Sequence, residues 1–128
     1  MSEIVTHLGI DRALCGEPVE LSPGCAVVHL QTSSRMGADS HGLVHGGFIF
    51  GQADYAAMLA VNDPNVVLGA ADTRFTAPVR VGDLVVARAT CTTSKGRRHT
   101  VEVECRVGDA LVMQGTFTTF VLDRHVLD

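Results

Sequence analysis

The sequence has few large side chains, with no tryptophan, one tyrosine and five phenylalanines among 128 residues. It has thirteen glycines, so we expect a core of small and aliphatic side chains in which backbone segments pack closely. Its 10 lysines and arginines are outnumbered by 14 aspartates and glutamates, giving a formal net charge of −4. A nucleic-acid binder needs a basic surface to neutralise phosphates, so nucleic acid is not an expected partner.

Cysteine motifs for disulfides or metals are also missing. The four cysteines, Cys15, Cys25, Cys91 and Cys105, include no Cys-x-x-Cys pair. The first residues lack the basic start and apolar run of a secretory signal, so we expect free thiols in a cytoplasmic protein. With 46% hydrophobic and 19% charged residues the chain is too apolar for disorder, and its length predicts a single domain, residues 1–128.

No apolar segment reaches the roughly 20 residues that cross a bilayer, so no membrane association is predicted. The longest apolar run extends from Phe48 to Val61, and its only strongly polar side chains are Gln52 and Asp54. The run is rich in alanine and is followed by Asn-Asp-Pro, which predicts a helix from Gly46 to Asn62. Because this helix is apolar on nearly every side, it must be surrounded by protein.

The remainder of the chain has the pattern of strands. Residues 100–107 alternate strictly between apolar and polar side chains, which is typical of a half-buried strand. A short helix is a further candidate near Ile4 to Leu14. The order of one strand, the helix and four strands predicts an α+β fold, in which a curved antiparallel sheet of about five strands wraps around the central helix. The other predicted strands are Cys25–Thr32, Val66–Val79, Asp83–Thr93 and Ala110–Leu122.

The start of the predicted helix carries a candidate binding site. A polar segment, residues 33–44, leads into His45-Gly46-Gly47, and the first amides of a helix have no acceptor within it. Because glycine has no side chain, a ligand can approach these amides closely. Such a site suits either a phosphate or a carbonyl oxygen that becomes an oxyanion. Alternatively, the two glycines only permit tight packing.

Asp54 is a second candidate. Its helical neighbours at three- and four-residue spacing are apolar or glycine, so its carboxylate stands on the apolar stripe of a buried helix. An isolated buried charge is very costly, so Asp54 is either functional or held in a hydrogen-bond network.

Gly46 and Asp54 are eight residues apart, about 12 Å along a helix axis. One small reacting carbonyl cannot touch both groups of the same chain. If both serve one reaction, two helices must run antiparallel across a twofold axis, so that Gly46 of one subunit lies near Asp54 of the other. The active unit would then be a dimer with two interface sites.

The motif His45-Gly46-Gly47, six residues and Asp54 resembles the hotdog-fold acyl-CoA thioesterases. It is most similar to their PaaI-like branch, named after a thioesterase of phenylacetic acid degradation. The segment 75–78 (Phe-Thr-Ala-Pro), Gly82-Asp83 and the order of elements extend the resemblance over nearly the whole chain. The resemblance implies a hotdog fold and hydrolysis of an acyl- or aryl-CoA thioester to the free acid and CoA.

The resemblance also implies roles for individual residues. Asp54 would act as general base or nucleophile, and the Gly46 amide of the partner subunit would polarise the thioester carbonyl. His45 would contact the thioester or hold the loop, and Gly47 would contact the substrate. Where the family often has an asparagine, six residues before His45, this chain has Asp39. A second acid close to Asp54 would raise its pKa or share a proton with it.

A short basic cluster is the candidate site for the phosphates of CoA. Lys95, Gly96, Arg97 and Arg98 occupy a predicted hairpin turn, and in similar enzymes basic residues near this position often touch the nucleotide. A solvated surface cluster is the alternative. The resemblance implies no cofactor beyond the CoA part of the substrate, and it implies a homodimer, commonly arranged as a dimer of dimers.

Three other interpretations fit the sequence less well. A non-catalytic acyl-CoA sensor would normally carry a DNA-binding segment, for which these residues leave no room. A hotdog dehydratase pairs a catalytic His and Asp in a pattern that does not occur here. His41 and His45 form a His-x3-His pair, but no third ligand has suitable spacing, so no metal site is predicted.

Overall fold

The computed structural model describes all residues from Met1 to Asp128 and contains two α-helices, one 3₁₀ helix and six strands. None of the helices combines the length and the apolar character that a membrane crossing requires. In chain order the elements are α1 (Arg12–Cys15), β1 (Glu17–Ser22), β2 (Cys25–Gln31), the 3₁₀ helix (Ser34–Met36), α2 (Gly46–Val61), β3 (Val66–Phe75), β4 (Leu84–Lys95), β5 (Arg98–Val107) and β6 (Ala110–Val121).

All six strands form one antiparallel sheet in the order β1-β2-β4-β5-β6-β3. The sequence predicts about five strands, and the additional one is β1. This short strand contains Pro18 between glutamates, which does not fit a strand pattern. A proline is tolerated there because β1 is an edge strand with only one hydrogen-bonded side, and the register with β2 shifts next to it.

Strand β3 is shorter than predicted, ending at Phe75 instead of Val79. The chain leaves the sheet before Pro78, which cannot donate to a ladder. Val79 and Arg80 instead contact the loop before α2: the Val44 amide donates to the Val79 carbonyl at 2.9 Å. The end of β3 and the start of α2 are therefore tied together.

The short N-terminal helix lies at Arg12–Cys15, at the end of the predicted region and beyond it. Its position follows from Asp11, whose carboxylate accepts a hydrogen bond from the Ala13 amide at 2.9 Å and caps the first turn. The preceding ten residues contain no helix or strand.

The central helix α2 contacts all six strands. Six strands side by side span far more than a helix diameter, so this contact requires the sheet to curve around α2. The predicted span, Gly46 to Asn62, is correct to one residue: Asn62 adopts a left-handed backbone (φ +53°) and its amide donates to the Met58 carbonyl at 2.8 Å. The buried residues of α2 are Ile49, Gln52, Ala53, Tyr55, Ala56, Ala57, Met58, Leu59 and Ala60.

Candidate functional site

The first turn of α2 offers two backbone amides without an acceptor. His45 is the N-cap residue, but its side chain makes no capping hydrogen bond. Its amide donates to the Met36 carbonyl at 2.9 Å, which fixes the entry into the helix. The Gly46 and Gly47 amides meet no acceptor outside the helix, and amides at this position have none within it. The helix dipole adds partial positive charge, so this end of α2 suits an anion or an oxyanion.

Aromatic rings lie against both glycines. A Cβ on Gly46 would be 3.4 Å from Cε1 of Phe75, which is ordinary contact. A Cβ on Gly47 would be only 3.0 Å from Cδ2 and Nε2 of His45, so that ring would have to move. The His45 ring also meets Phe48 edge-on, with centroids 6.2 Å apart. Close packing is therefore part of the reason for glycine at position 47, while position 46 has room for a methyl group.

An apolar groove of about 390 Å³ lies beside the Gly46 amide. Phe75 and Leu43 line it and remain 54% and 41% exposed, which is unusual for large apolar side chains. Ile49 of α2 forms part of the floor. The groove can accept an aliphatic or aromatic group next to a free amide.

Asp54 lines a second cavity, of about 380 Å³, at the opposite end of β3. Its Oδ1 atom is buried and has no hydrogen-bond partner. Burial raises the pKa of Asp54 from 3.8 to about 6, because the charged form loses hydration and no cation compensates. The alternative of an internal hydrogen-bond network is thus not realised for this oxygen.

The two cavities have no lining residue in common. The groove at Gly46 lies at the Phe75 end of β3, and the Asp54 cavity lies at its Val66 end. This agrees with the separation of about 12 Å expected along α2. One chain by itself does not bring the Gly46 amide and the Asp54 carboxylate together.

Asp39 has a local structural function. Its Oδ1 accepts hydrogen bonds from the amides of His41 (2.9 Å) and Leu43 (3.2 Å), which shapes the loop before α2. Asp39 is exposed and does not line the Asp54 cavity of its own chain. His41 and His45 belong to the same region, and no three His, Cys, Asp or Glu side chains of the chain are grouped so as to hold a metal ion.

The basic cluster occupies the predicted hairpin, between β4 and β5. Gly96 adopts a positive φ of 58°, which closes the turn, and the Lys95 and Arg98 positions pair across it. Arg97 forms an ion pair with Asp123, whereas Lys95 and Arg98 form none. The turn is next to the end of β6, which pairs with the start of β3. It therefore lies at the end of the sheet where the Asp54 cavity opens.

The structure adds residues that the sequence does not indicate. Thr6, His7 and His125 line the Asp54 cavity, although they come from the two ends of the chain. Their spacing to Asp54 is too long for any local motif to reveal. Only the positive φ of His7 (+53°) marks it as unusual, and this is a property of the folded backbone.

Solved structures show the same architecture. An uncharacterized protein from Pyrococcus horikoshii superposes with a TM-score of 0.98 at 50% identity, covering 99% of this chain and 98% of that one. An asparagine-to-aspartate mutant of the phenylacetic acid degradation protein PaaI from Thermus thermophilus gives a TM-score of 0.79 at 34% identity, over 87% of this chain and 96% of that one. The six-stranded antiparallel sheet curved around one long helix is a hotdog fold.

A family model described as the thioesterase superfamily matches residues 41–114, a range that includes Gly46 and Asp54. The chain belongs to the thioesterase superfamily, as its resemblance to PaaI-like thioesterases predicts.

Curated relatives are longer. Methylthioribose-1-phosphate isomerase of Aquifex aeolicus is 53% identical over 103 residues, which are 80% of this chain and 23% of that protein. Transcription factor FapR of Caldanaerobacter subterraneus is 32% identical over 65 residues, 51% of this chain and 32% of that protein. The chain thus spans about a quarter to a third of the length of these relatives.

Proposed function

We propose that the protein hydrolyses acyl- or aryl-CoA thioesters to the free acid and CoA. The observation that carries this proposal is the Asp54 carboxylate, which has an unpartnered buried oxygen on a cavity wall and a pKa raised to about 6. A carboxylate of that pKa is ionised near neutral pH yet basic enough to take a proton from water. Thioesterase superfamily membership supports the same chemistry.

The reaction can follow two routes from this carboxylate. As general base, Asp54 takes a proton from water while the water oxygen attacks the thioester carbonyl carbon. As nucleophile, it attacks the carbon itself and forms an anhydride that water then hydrolyses. In both routes the carbonyl oxygen gains negative charge, which the Gly46 amide and the dipole of α2 stabilise, and the C–S bond breaks to release the CoA thiolate.

The proposal requires a dimer, and the free edge of β3 supplies a way to form one. This strand pairs with β6 on one side only and leaves its other edge open, with exposed Ala70 and Ala71 in the middle. An unpaired strand edge is a template for another strand. Antiparallel pairing of two β3 edges about a twofold axis brings the Phe75 end, with Gly46, to the Val66 end of the partner, with Asp54. The groove and the cavity then form one composite site.

The remaining predicted residues fit around that site. The apolar groove beside Gly46 would hold the acyl or aryl group, with His45 and Gly47 at its rim. Lys95 and Arg98 are free to bind the phosphates of CoA near the Asp54 cavity. No cofactor beyond the CoA part of the substrate is required by this scheme.

The test is free-thiol release from a panel of acyl- and aryl-CoA esters. We expect turnover by the wild type and a loss of at least about a hundredfold in Asp54→Asn. Asp109→Asn is the matched control, because that carboxylate is exposed in the turn between β5 and β6 and makes no hydrogen bond. Equal activity of Asp54→Asn and wild type would exclude the proposed mechanism.

The shared site is tested with a second pair of variants. Gly46→Pro removes the amide hydrogen and suits the first position of a helix, since His45 before it is extended (ψ 130°). We expect a loss of about 10²–10³-fold in kcat, whereas Gly46→Ala keeps the amide and most of the activity.

Mixing inactive Asp54→Asn with inactive Gly46→Pro then distinguishes one-chain from two-chain sites. In a mixed dimer, one site combines an intact Asp54 with an intact Gly46. Random exchange should therefore restore about a quarter of the wild-type activity. No recovery, with mixed dimers demonstrated by mass, would show that each site uses a single chain.

A non-catalytic acyl-CoA sensor is the second candidate, and the similarity to the transcription factor FapR favours it. The two functions differ in the unmodified protein. Binding of acyl-CoA without turnover on any ester of the panel would support the sensor and contradict the thioesterase.

A further inference from the structure

We propose that His7 is a positioning residue for the reaction at Asp54: its Nε2 atom holds the attacking water against the unpartnered Asp54 oxygen. This inference rests on the proposed thioesterase function. It concerns a residue outside the His-Gly-Gly…Asp motif, contributed by the N-terminal segment before the first helix.

The first argument is position. His7 and Asp54 line the same cavity of about 380 Å³, one from the N-terminal segment and the other from α2. The Asp54 Oδ1 atom is buried and accepts no hydrogen bond from any group of the chain. A water in this cavity can donate one hydrogen to Asp54 and the other to a neutral imidazole nitrogen, which directs its lone pair toward a substrate.

The second argument is the fixed orientation of the ring. The Thr6 hydroxyl oxygen lies 2.8 Å from Nδ1 of His7, and Thr6 is only 4% exposed. When Nδ1–H donates to the Thr6 oxygen, Nε2 is left as an acceptor. The ring also packs on Tyr55, with centroids 6.4 Å apart. The contacts with Thr6 and Tyr55 restrict the ring, and the tautomer with Nδ1–H leaves Nε2 able to accept a hydrogen bond from a water.

The third argument is that the fold holds His7 in a strained conformation. Its φ of +53° is in the left-handed region, which costs energy for a residue other than glycine. The segment before it is bound to the end of α2: the Val5 amide donates to Oδ1 of Asn62 (3.0 Å), and Nδ2 of Asn62 donates to the Glu3 carbonyl (2.8 Å). The helix that carries Asp54 therefore also positions His7.

The charge state is consistent with an acceptor. Partial burial lowers the pKa of His7 from 6.5, so the ring is neutral near neutral pH. The other titratable groups around the pair are His125 in the cavity, Tyr55 beneath the ring, and Cys15 of α1, whose pKa Asp54 helps to raise. In the hydrolysis step one water proton passes to Asp54 and the hydroxyl adds to the thioester carbon, so His7 neither gains nor loses a proton.

The kinetic test uses His7→Asn, because asparagine tolerates a positive φ but its short side chain cannot reach across the cavity. We expect kcat to fall by about tenfold or more, with KM changed by less than about twofold. Thr6→Val removes the acceptor for Nδ1–H and should show part of the loss in kcat. Thr6→Ser keeps a hydroxyl and should retain the wild-type kcat. His29→Gln is the control, since His29 lies on the outward face of β2 between inward-facing Val28 and Leu30.

The pH profile separates positioning from folding. In the wild type, activity needs Asp54 ionised and His7 neutral, so log(kcat/KM) should fall at low pH with a slope approaching two. In His7→Asn the slope should be close to one, and the control His29→Gln should leave it at two. An unchanged profile in His7→Asn, or an unchanged kcat in a folded variant, would overturn the proposal.

A titration that needs no activity keeps the two proposals distinguishable. The ring signals of His7 are followed by NMR against pH in the wild type and in Asp54→Asn. Removing the negative charge disfavours the imidazolium, so the pKa of His7 should fall by about 0.5 or more. If the wild type turns over no ester, the proposed function fails and this titration alone decides the inference. An identical His7 titration in both proteins would overturn it.

Discussion

Gln52 and Asp54 lie two positions apart on α2 and are the only strongly polar side chains within its apolar run, yet the fold treats them differently. Gln52 is fully buried, and its Nε2 donates to the carbonyls of Val28 in β2 (3.0 Å) and Val85 in β4 (2.9 Å). Gln52 Oε1 and Asp54 Oδ1 are both buried without a hydrogen-bond partner, but Asp54 makes no hydrogen bond to the sheet and lines a cavity. One side chain ties the helix to the sheet, and the other is left available to a ligand.

The comparison shows how a buried polar group can be interpreted. A group whose hydrogen bonds are made inside the chain contributes to stability, because losing it leaves buried partners unpaired. A group that is left without partners costs stability and is retained for another reason. From the sequence alone the two residues look equivalent, since both interrupt the same apolar helix.

The largest effect on stability is expected from Gln52→Glu. This change places a carboxylate against two backbone carbonyls, and we expect a loss of about 3–5 kcal/mol at pH 7. Acidification should recover part of the loss, because a protonated carboxyl can donate one hydrogen bond. Urea unfolding at pH 7 and pH 5 measures the loss of stability at each pH. Gln52→Met is the uncharged control, and we expect it to cost about 1–3 kcal/mol. Equal losses in the two variants at pH 7 would contradict this account.

The opposite result is expected from Asp54→Asn, which should stabilise the protein at pH 8 by about 2 kcal/mol while abolishing activity. The folded-state pKa of about 6 lies above the unfolded value of about 3.9. Between these two pKa values the folded state binds more protons than the unfolded state. The stability of the wild type therefore decreases as pH rises from about 4 to 6. The gain should therefore vanish near pH 4. Thermal unfolding at both pH values checks this, and a gain that does not depend on pH would exclude burial of the charge as its cause.

A smaller effect extends the comparison to the basic turn. Arg97 has an ion-pair partner in Asp123, while Lys95 and Arg98 have none. If the unpartnered groups are those that bind CoA, Lys95→Gln and Arg98→Gln should each raise KM by about two- to fivefold without changing kcat. Arg97→Gln should raise KM less, and all three effects should shrink at high salt. Equal effects of the three substitutions would contradict the distinction.

The central helix and four of the five predicted strands can be recovered from sequence because their signals are local. The Asn-Asp-Pro stop places the end of α2 within one residue, and alternation identifies β5. The pattern does not reveal β1, because Pro18 masks it and its pairing with β2 depends on its edge position. The fifth predicted strand, β3, is located correctly but extended too far: the chain leaves the sheet before Pro78, and Val79 then pairs with a distant loop.

The residues of the candidate site also differ in whether a local sequence signal reveals them. Gly46 and Asp54 can be proposed from the sequence because a helix start and a buried acid are visible within one helix, and their separation of about 12 Å requires two chains if both serve one reaction. Asp39 has the spacing of a family position, but the structure engages its carboxylate in two local hydrogen bonds. His7 cannot be found, because its place in the Asp54 cavity depends on a segment far away in sequence.

By itself, the sequence determined what short-range chemistry controls: a buried helix, its glycine-rich start, an acid on its apolar face, and the thioesterase resemblance. Only the tertiary structure decided which polar atoms find partners, because the hydrogen bonds from Gln52 Nε2 depend on carbonyls in two distant strands. It also decided what surrounds Asp54, since both ends of the chain meet at that cavity. The desolvation and the hydrogen bonding of a polar side chain depend on its neighbours in space. For the side chains of α2, those neighbours follow from the curvature of the sheet around the helix.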